Sequence, residues 1–176
     1  ITIVPEIDLP GHTNAALASY AKLNCDGKAT KLYTGTEVGF STLCVDKEET
    51  YEFLDDVIRE ISEMTHGPYF HIGGDESNVT PEKDFNLFMN RTLKIVKKYN
   101  KTPMGWYELI TADIPEETLL QFWAKKEDFC KRASSLQLGW CCFSKSTIQS
   151  AKAAMAEADE AMPLLWGKEL WLDIER

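Results

Sequence analysis

Two adjacent carboxylates, Asp75 and Glu76, stand at the exit of Tyr69-Phe70-His71-Ile72-Gly73-Gly74. A carboxyl pair held against one substrate can divide acid–base work: one group moves a proton while the other supplies charge. Neighbours on an extended strand point to opposite faces, so the chain must bend for both to reach one substrate, and Gly73-Gly74 supplies that freedom. An apolar run bounded by glycines reads as a buried strand. The C-terminal ends of such strands are where parallel α/β sheets and barrels build their sites. Taken alone, the same residues also fit a pair of solvated acids in a turn.

A second stretch repeats the arrangement. Ile1-Thr2-Ile3-Val4-Pro5-Glu6-Ile7-Asp8-Leu9-Pro10-Gly11-His12-Thr13 is again an apolar run leading into carboxylates, followed by Pro-Gly-His. With His71-Ile72-Gly73-Gly74-Asp75-Glu76 it resembles the family 20 glycoside hydrolases, the β-N-acetylhexosaminidases. The two motifs in this order, one strand–helix unit apart, carry the resemblance. It runs from Ile1 to about Trp123, taking in Gly105-Trp106 and Gln121-Phe122-Trp123, and residues 124–176 diverge.

The resemblance implies a TIM barrel in which the Asp8 strand is third and the Asp75-Glu76 strand fourth. A complete (β/α)8 barrel typically takes about 250 residues, and this chain has 176. The expectation is one α/β domain over 1–176, a partial (β/α)8 barrel lacking the first two strands, completed by another chain or belonging to a larger enzyme. An open barrel would expose sheet edges, which invites such association.

The implied chemistry is hydrolysis of terminal non-reducing N-acetyl-β-hexosamine residues with retention. Most retaining glycosidases use two carboxylates, one as nucleophile; in this family the substrate's own 2-acetamido oxygen attacks instead. Glu76 would be general acid and then base, which requires a pKa raised toward neutrality by burial or a nearby negative charge. Asp75 would supply that charge and orient the acetamido N–H. Asp8 would support the site by hydrogen bonding. His12 would line the sugar pocket, orphaned because its family partner, a second-strand carboxylate, has no counterpart. Trp106 and Trp123 would wall the acetamide pocket, with Trp166 a third wall and Tyr107 and Glu108 at the rim. In Trp166-Gly167-Lys168-Glu169 the family's substrate-binding acid falls on either Lys168 or Glu169, and Glu169 is the candidate ligand. The family's sugar-binding Arg and its Tyr-x-Asp have no counterpart. No cofactor and no metal is expected. The substrates would be N-acetylglucosamine- or N-acetylgalactosamine-terminated glycans, chitin-type oligomers among them. Two other classes compete: a degenerate, non-catalytic carbohydrate-binding or interaction domain, and an unrelated (β/α) enzyme holding a metal at Asp75 and Glu76.

Composition narrows the partners. A net charge of −9 argues against nucleic acid or an anionic membrane, which attract basic surfaces. No apolar run approaches the roughly 20 residues of a membrane span. Five cysteines leave an odd count. Cys25 and Cys44 bracket a stretch without periodicity; free buried thiols are one reading, and the resemblance favours a disulfide. A bridge would imply an oxidising compartment, hence a secreted protein. Cys130, Cys141 and Cys142 show no pairing or metal-ligand spacing. Asn78, Asn90 and Asn100 open glycosylation triplets, with Asn78 read as unmodified so near Glu76.

Pattern then orders the positioning elements. A strand ends at Asp8, a helix covers about 13–23, and a long loop, of a length usually functional or tied down, covers 24–44. Asp46 and Glu49 read as a capping box for a helix to Met64, striped by Phe53, Leu54, Val57, Ile58 and Ile61. Thr80 caps and Pro81 opens a helix to Tyr99 that buries Phe85, Phe88, Leu93 and Val96. Strands follow at 102–106 and 118–123. Helices over about 125–135 and 146–161 flank a strand over 136–143. Strand and helix alternating at this spacing predicts a parallel sheet.

Overall fold

The computed structural model describes residues 2–121 and the strand Cys142–Ser144. Strands β1 (Tyr69–His71), β2 (Thr102–Trp106), β3 (Leu119–Gln121) and β4 (Cys142–Ser144) form one sheet in that order. β1, β2 and β3 run parallel, with Phe70 opposite Pro103 and Gly105 opposite Leu120. β4 runs antiparallel to β3, Leu120 facing Phe143, so the sheet is mixed rather than wholly parallel. An antiparallel edge strand on a parallel sheet is common, because edge pairing needs no crossover.

The first motif forms less strand than its pattern predicts. Only Glu6 bridges to His71, in parallel, with Ile7 N–H on the His71 carbonyl and His71 N–H on the Pro5 carbonyl. Pro5 has no N–H to extend the ladder. Among the described residues, nothing pairs with the outer edge of this segment, and Ile3 is 76% exposed. Helix α1 (Asn14–Ser19) is also shorter than expected, followed by a 3-10 turn at Ala21–Leu23. Its Leu17 carbonyl is taken by the Asn24 side chain and by Thr30 N–H rather than by another helical turn.

Helices α2 (Glu48–Met64) and α3 (Glu82–Lys98) pack side by side. Neither uses the predicted cap. Lys47 and Pro81 are the half-in residues, with no side-chain cap on either. Asp46 lies one residue too early, and the Thr80 hydroxyl is committed to Thr42 and Ser77. The buried stripe of α2 is Tyr51, Leu54, Ile58 and Ser62, with Phe53, Val57 and Ile61 half-buried on its flanks. α3 buries Phe85, Phe88, Leu93 and Val96 as predicted, together with Met89 and Thr92. Tyr51 meets Phe88, and Arg91 lies over the Tyr51 ring while gripping Glu48 with its two terminal guanidinium nitrogens.

Side chains alternate along each strand. Phe70 and Ile72 point into the helices and are fully buried. His71 and Gly73 lie on the other face, beside Glu6 and Asp8. Apolar packing therefore occupies the helix side, and the polar residues of both motifs share the opposite one. Phe88→Ala removes a ring with no exposure and should cost about 3–5 kcal/mol of stability, read as a lowered urea midpoint with the slope unchanged.

Candidate active site

The site is built where the first motif crosses the end of β1. Asp8 Oδ1 accepts the Gly74 N–H at 3.1 Å. That approach needs Gly73: a Cβ there would overlap the Asp8 carboxylate and sit 2.6 Å from its Cα, and the residue's φ is +67°. Gly74 follows at φ +110° and Glu76 at φ +48°, which supplies the bend that the adjacent acids require. Left-handed backbone is unfavourable for residues with a Cβ and marks places where the surroundings hold the chain against its preference. Two of the three such residues among those described, His12 at φ +54° and Glu76, belong to this site.

The bend gathers the predicted acids around one imidazole. His12 Nε2 lies 3.3 Å from Glu76 Oε2, 3.4 Å from Asp75 Oδ2 and 3.8 Å from Asp8 Oδ2. His12 is therefore not orphaned, because the carboxylates of its own strand and of the next surround it. Burial pushes the Asp8 carboxyl up to about 8, helped by its hydrogen bond to Asp75, by the Asp75 charge and by Glu6, against the Gly74 N–H. Burial beside other carboxylates therefore favours the protonated form of Asp8 at neutral pH. Asp8, His12 and Asp75 also present ligand atoms within 4.8 Å of one another, close enough for a cation.

One layer deeper, the structure adds two residues that pattern did not mark. Glu6 Oε1 accepts the Trp106 indole N–H at 3.0 Å and lies 3.0 Å from His71 Nδ1. His71 is 3% exposed and meets Trp106 edge-on, ring centroids 5.0 Å apart. Burial lowers its pKa despite the opposing charges of Glu6 and Asp75, so the ring is neutral at neutral pH. Nδ1 also lies 3.1 Å from Gly73 N; protonated it donates to Glu6, unprotonated it accepts from Gly73. His71 is buried but polar in its contacts. The available signal was the spacing: Glu6 and Asp8 are two apart on an extended segment, as are His71 and Gly73, and such pairs share a face.

Trp106 thus stands on the face of the acids. On the other side of Glu76 opens a cavity of about 390 Å3, lined by Ser77, Asn78, Thr80, Phe85, Tyr107 and Glu108 among others. Tyr107 and Glu108 are among the residues of that lining. Cys25 and Cys44 form the disulfide. Trp123, Trp166 and Glu169 lie outside the described residues, as do Lys168 and the side chains of Cys130, Cys141 and Cys142.

Residues 1–86 match the family model described as glycosyl hydrolase family 20, catalytic domain. A β-N-acetylhexosaminidase of Cellulomonas fimi is 37% identical over 139 residues, 79% of this chain and 28% of that protein. A solved mutant β-hexosaminidase of Streptomyces plicatus, in complex with its product GlcNAc, superposes with a TM-score of 0.70 at 54% identity, over 76% of this chain and 28% of that one. The family 20 β-N-acetylhexosaminidase of Streptomyces coelicolor gives a TM-score of 0.71 at 50% identity, over 89% and 28%. The chain belongs to glycosyl hydrolase family 20, and its fold is of the TIM-barrel catalytic type. It spans about 28% of the length of these relatives.

Two outcomes follow from the geometry. A carboxyl raised by folding contributes stability that is complete below its unfolded pKa and is lost as pH climbs through the folded value. The wild-type protein should therefore lose thermal stability relative to Asp8→Asn as pH rises toward about 8, and the gap should level off above it. Melting curves of both from about pH 5 to about pH 9 test this, and a constant gap would refute it. Gly73→Ala, which drives a methyl into Asp8, should cost about 2 kcal/mol or more in denaturant unfolding.

Proposed function

We propose that the protein hydrolyses terminal non-reducing N-acetyl-β-hexosamine residues with retention, using the substrate's acetamido group as nucleophile. The observation that carries this reading is the convergence of Asp75 and Glu76 on one His at a strand's C-terminal end. Glu76 protonates the glycosidic oxygen while the C1–O bond breaks and the acetamido carbonyl oxygen bonds to C1. Asp75 accepts the acetamido N–H and balances the positive charge that develops on the oxazolinium ring. Glu76, now a carboxylate, takes a proton from water as that water attacks C1. The C1–O bond of the oxazolinium ring breaks in the same step, which regenerates the acetamido group and releases the sugar with its β configuration, and the proton taken from water returns Glu76 to its acid form.

Asp8, held on the Gly74 N–H, fixes the turn that carries Asp75. Trp106, tied through its indole N–H to Glu6, offers an apolar face to the acetamido group, with Trp123 and Trp166 as further walls and Glu169 as a hydroxyl ligand. We read the sheet as part of a (β/α)8 domain over 1–176. The three parallel strands with their packed helices support this. The Cys25–Cys44 bridge supports a secreted protein. The ligand-competent grouping of Asp8, His12 and Asp75 favours one competing reading, a cation-dependent hydrolase.

Release of the aryl group from an aryl N-acetyl-β-glucosaminide should proceed in the wild-type protein at its native length. It should fall by about a hundredfold or more in Glu76→Gln and be indifferent to chelator. Loss of turnover on chelation would favour the cation. Sugar binding without turnover would favour a carbohydrate-binding domain.

A further inference from the structure

Two adjacent residues of the disulfide-bracketed loop, Ser41 and Thr42, reach the two halves of the site. The Ser41 hydroxyl oxygen accepts the Thr13 N–H at 3.2 Å, directly after His12. Ser41 and Thr13 are both buried, where an N–H left without an acceptor is costly. On the other side the Thr80 hydroxyl donates to Thr42 Oγ1 at 2.7 Å, and Ser77, directly after Glu76, lies 2.7 Å from Thr80 Oγ1. The protons run in one direction. Thr80 gives its own to Thr42 and therefore receives that of Ser77, while Thr42 donates to the Leu43 carbonyl at 3.3 Å. Leu43 N–H in turn donates to the Pro10 carbonyl, two residues before His12. The series of bonds starts beside Glu76 and ends beside His12, and linked hydroxyls of this kind polarise and strengthen one another.

These bonds meet the backbone where it is held against its preference. His12 and Glu76 have φ of +54° and +48°, conformations that residues with a Cβ keep only where their surroundings fix them. Gly39, two residues before Ser41, lies against the second turn: a Cβ on it would sit 3.1 Å from the Glu76 carbonyl. The far end of the segment is fixed by the Cys25–Cys44 bridge and by Cys44 N–H on the Leu23 carbonyl. Between the two turns, His12 Nε2 lies 3.3 Å from Glu76 Oε2.

We propose that Ser41 and Thr42 are positioning residues: one hydroxyl holds the His12 turn, the other holds the Glu76 turn, and the backbone between them sets the separation of imidazole and acid. They act through the two turns rather than on the substrate. The proposal rests on the assignment of Glu76 as the acid, because only then does a change in that separation alter turnover. A misplacement of about 1 Å can cost roughly a hundredfold in rate, so the joint serves alignment rather than affinity.

The test is a double-mutant cycle in the protein at its native length, on an aryl N-acetyl-β-glucosaminide. Ser41→Ala and Thr42→Val should each lower kcat about tenfold with KM held within about twofold. Thr42→Ser, which keeps the hydroxyl, should behave as wild type. Cutting either end releases the same joint, so the double variant should lose about tenfold rather than about a hundredfold. Losses that multiply, losses confined to KM, or no loss would overturn the proposal. Amide hydrogen exchange reads the joint without turnover. Thr42→Val should speed exchange about tenfold at Thr13, whose own acceptor is untouched, and Ser41→Ala should do the same at Thr80. Acceleration confined each time to the turn that lost its hydroxyl would also overturn it. If the wild-type protein hydrolyses no such substrate while the exchange effects still cross the joint, the hydrolytic reading fails and the positioning of the two turns stands.

Discussion

The seat of Asp8 against Gly73 is the constraint on which the rest of the site depends. Only a residue without a Cβ lets the Asp8 carboxylate lie against β1 closely enough to take the Gly74 N–H. That bond fixes the distance between the first motif and the sheet, and with it the position of His12 four residues on. The same closeness explains the charge state: one carboxyl removed from water and set against another keeps its proton. Geometry and protonation at this site therefore have a common origin in one missing methyl group.

Apolar packing and polar side chains occupy opposite faces of the sheet. Phe70, Ile72 and Leu120 pack with Ile58, Leu54 and Phe88 in a continuous apolar core. The interior of a barrel of this type is usually filled by branched aliphatic side chains. Here the matching face of β1 and its neighbour segment carries Glu6, His71 and Asp8 instead. These groups exclude apolar packing and pair in part: Glu6 takes the Trp106 indole N–H and lies beside His71, and Asp8 takes the Gly74 N–H, while His71 Nε2 and Asp75 Oδ1 are buried without a partner among the described residues. A polar layer of this kind holds the indole and the acid turn in register without contributing much to folding. The helix side, together with the disulfide, supplies the rigidity that the strained backbone at His12 and Glu76 requires.

Several features were legible in residue order alone. The run ending in Gly73-Gly74-Asp75-Glu76, the stripe of α3 and the strand through Trp106 all appear in the structure. Each depends on local periodicity or on a motif whose residues are near neighbours. The Cys25–Cys44 bridge, which the family resemblance favoured, is also present. The caps were misjudged by one residue, because Thr80 has a better use for its hydroxyl in Thr42, 38 residues away. The Ile1–Asp8 strand was overestimated because its propensity is real while its outer edge has no partner among the described residues.

What the sequence by itself determined is that two apolar runs end in carboxylates and that the chain must bend at Gly73-Gly74 to bring Asp75 and Glu76 together. Backbone freedom and side-chain alternation are properties of a residue and its neighbours, so they can be read in one dimension. Only the tertiary structure decided that Asp8 keeps a proton, that His12 is shared by three carboxylates, and that Glu6 and His71 belong beneath Trp106. Those outcomes depend on desolvation and on distances between segments some sixty to a hundred residues apart. Neither quantity exists until the chain has folded.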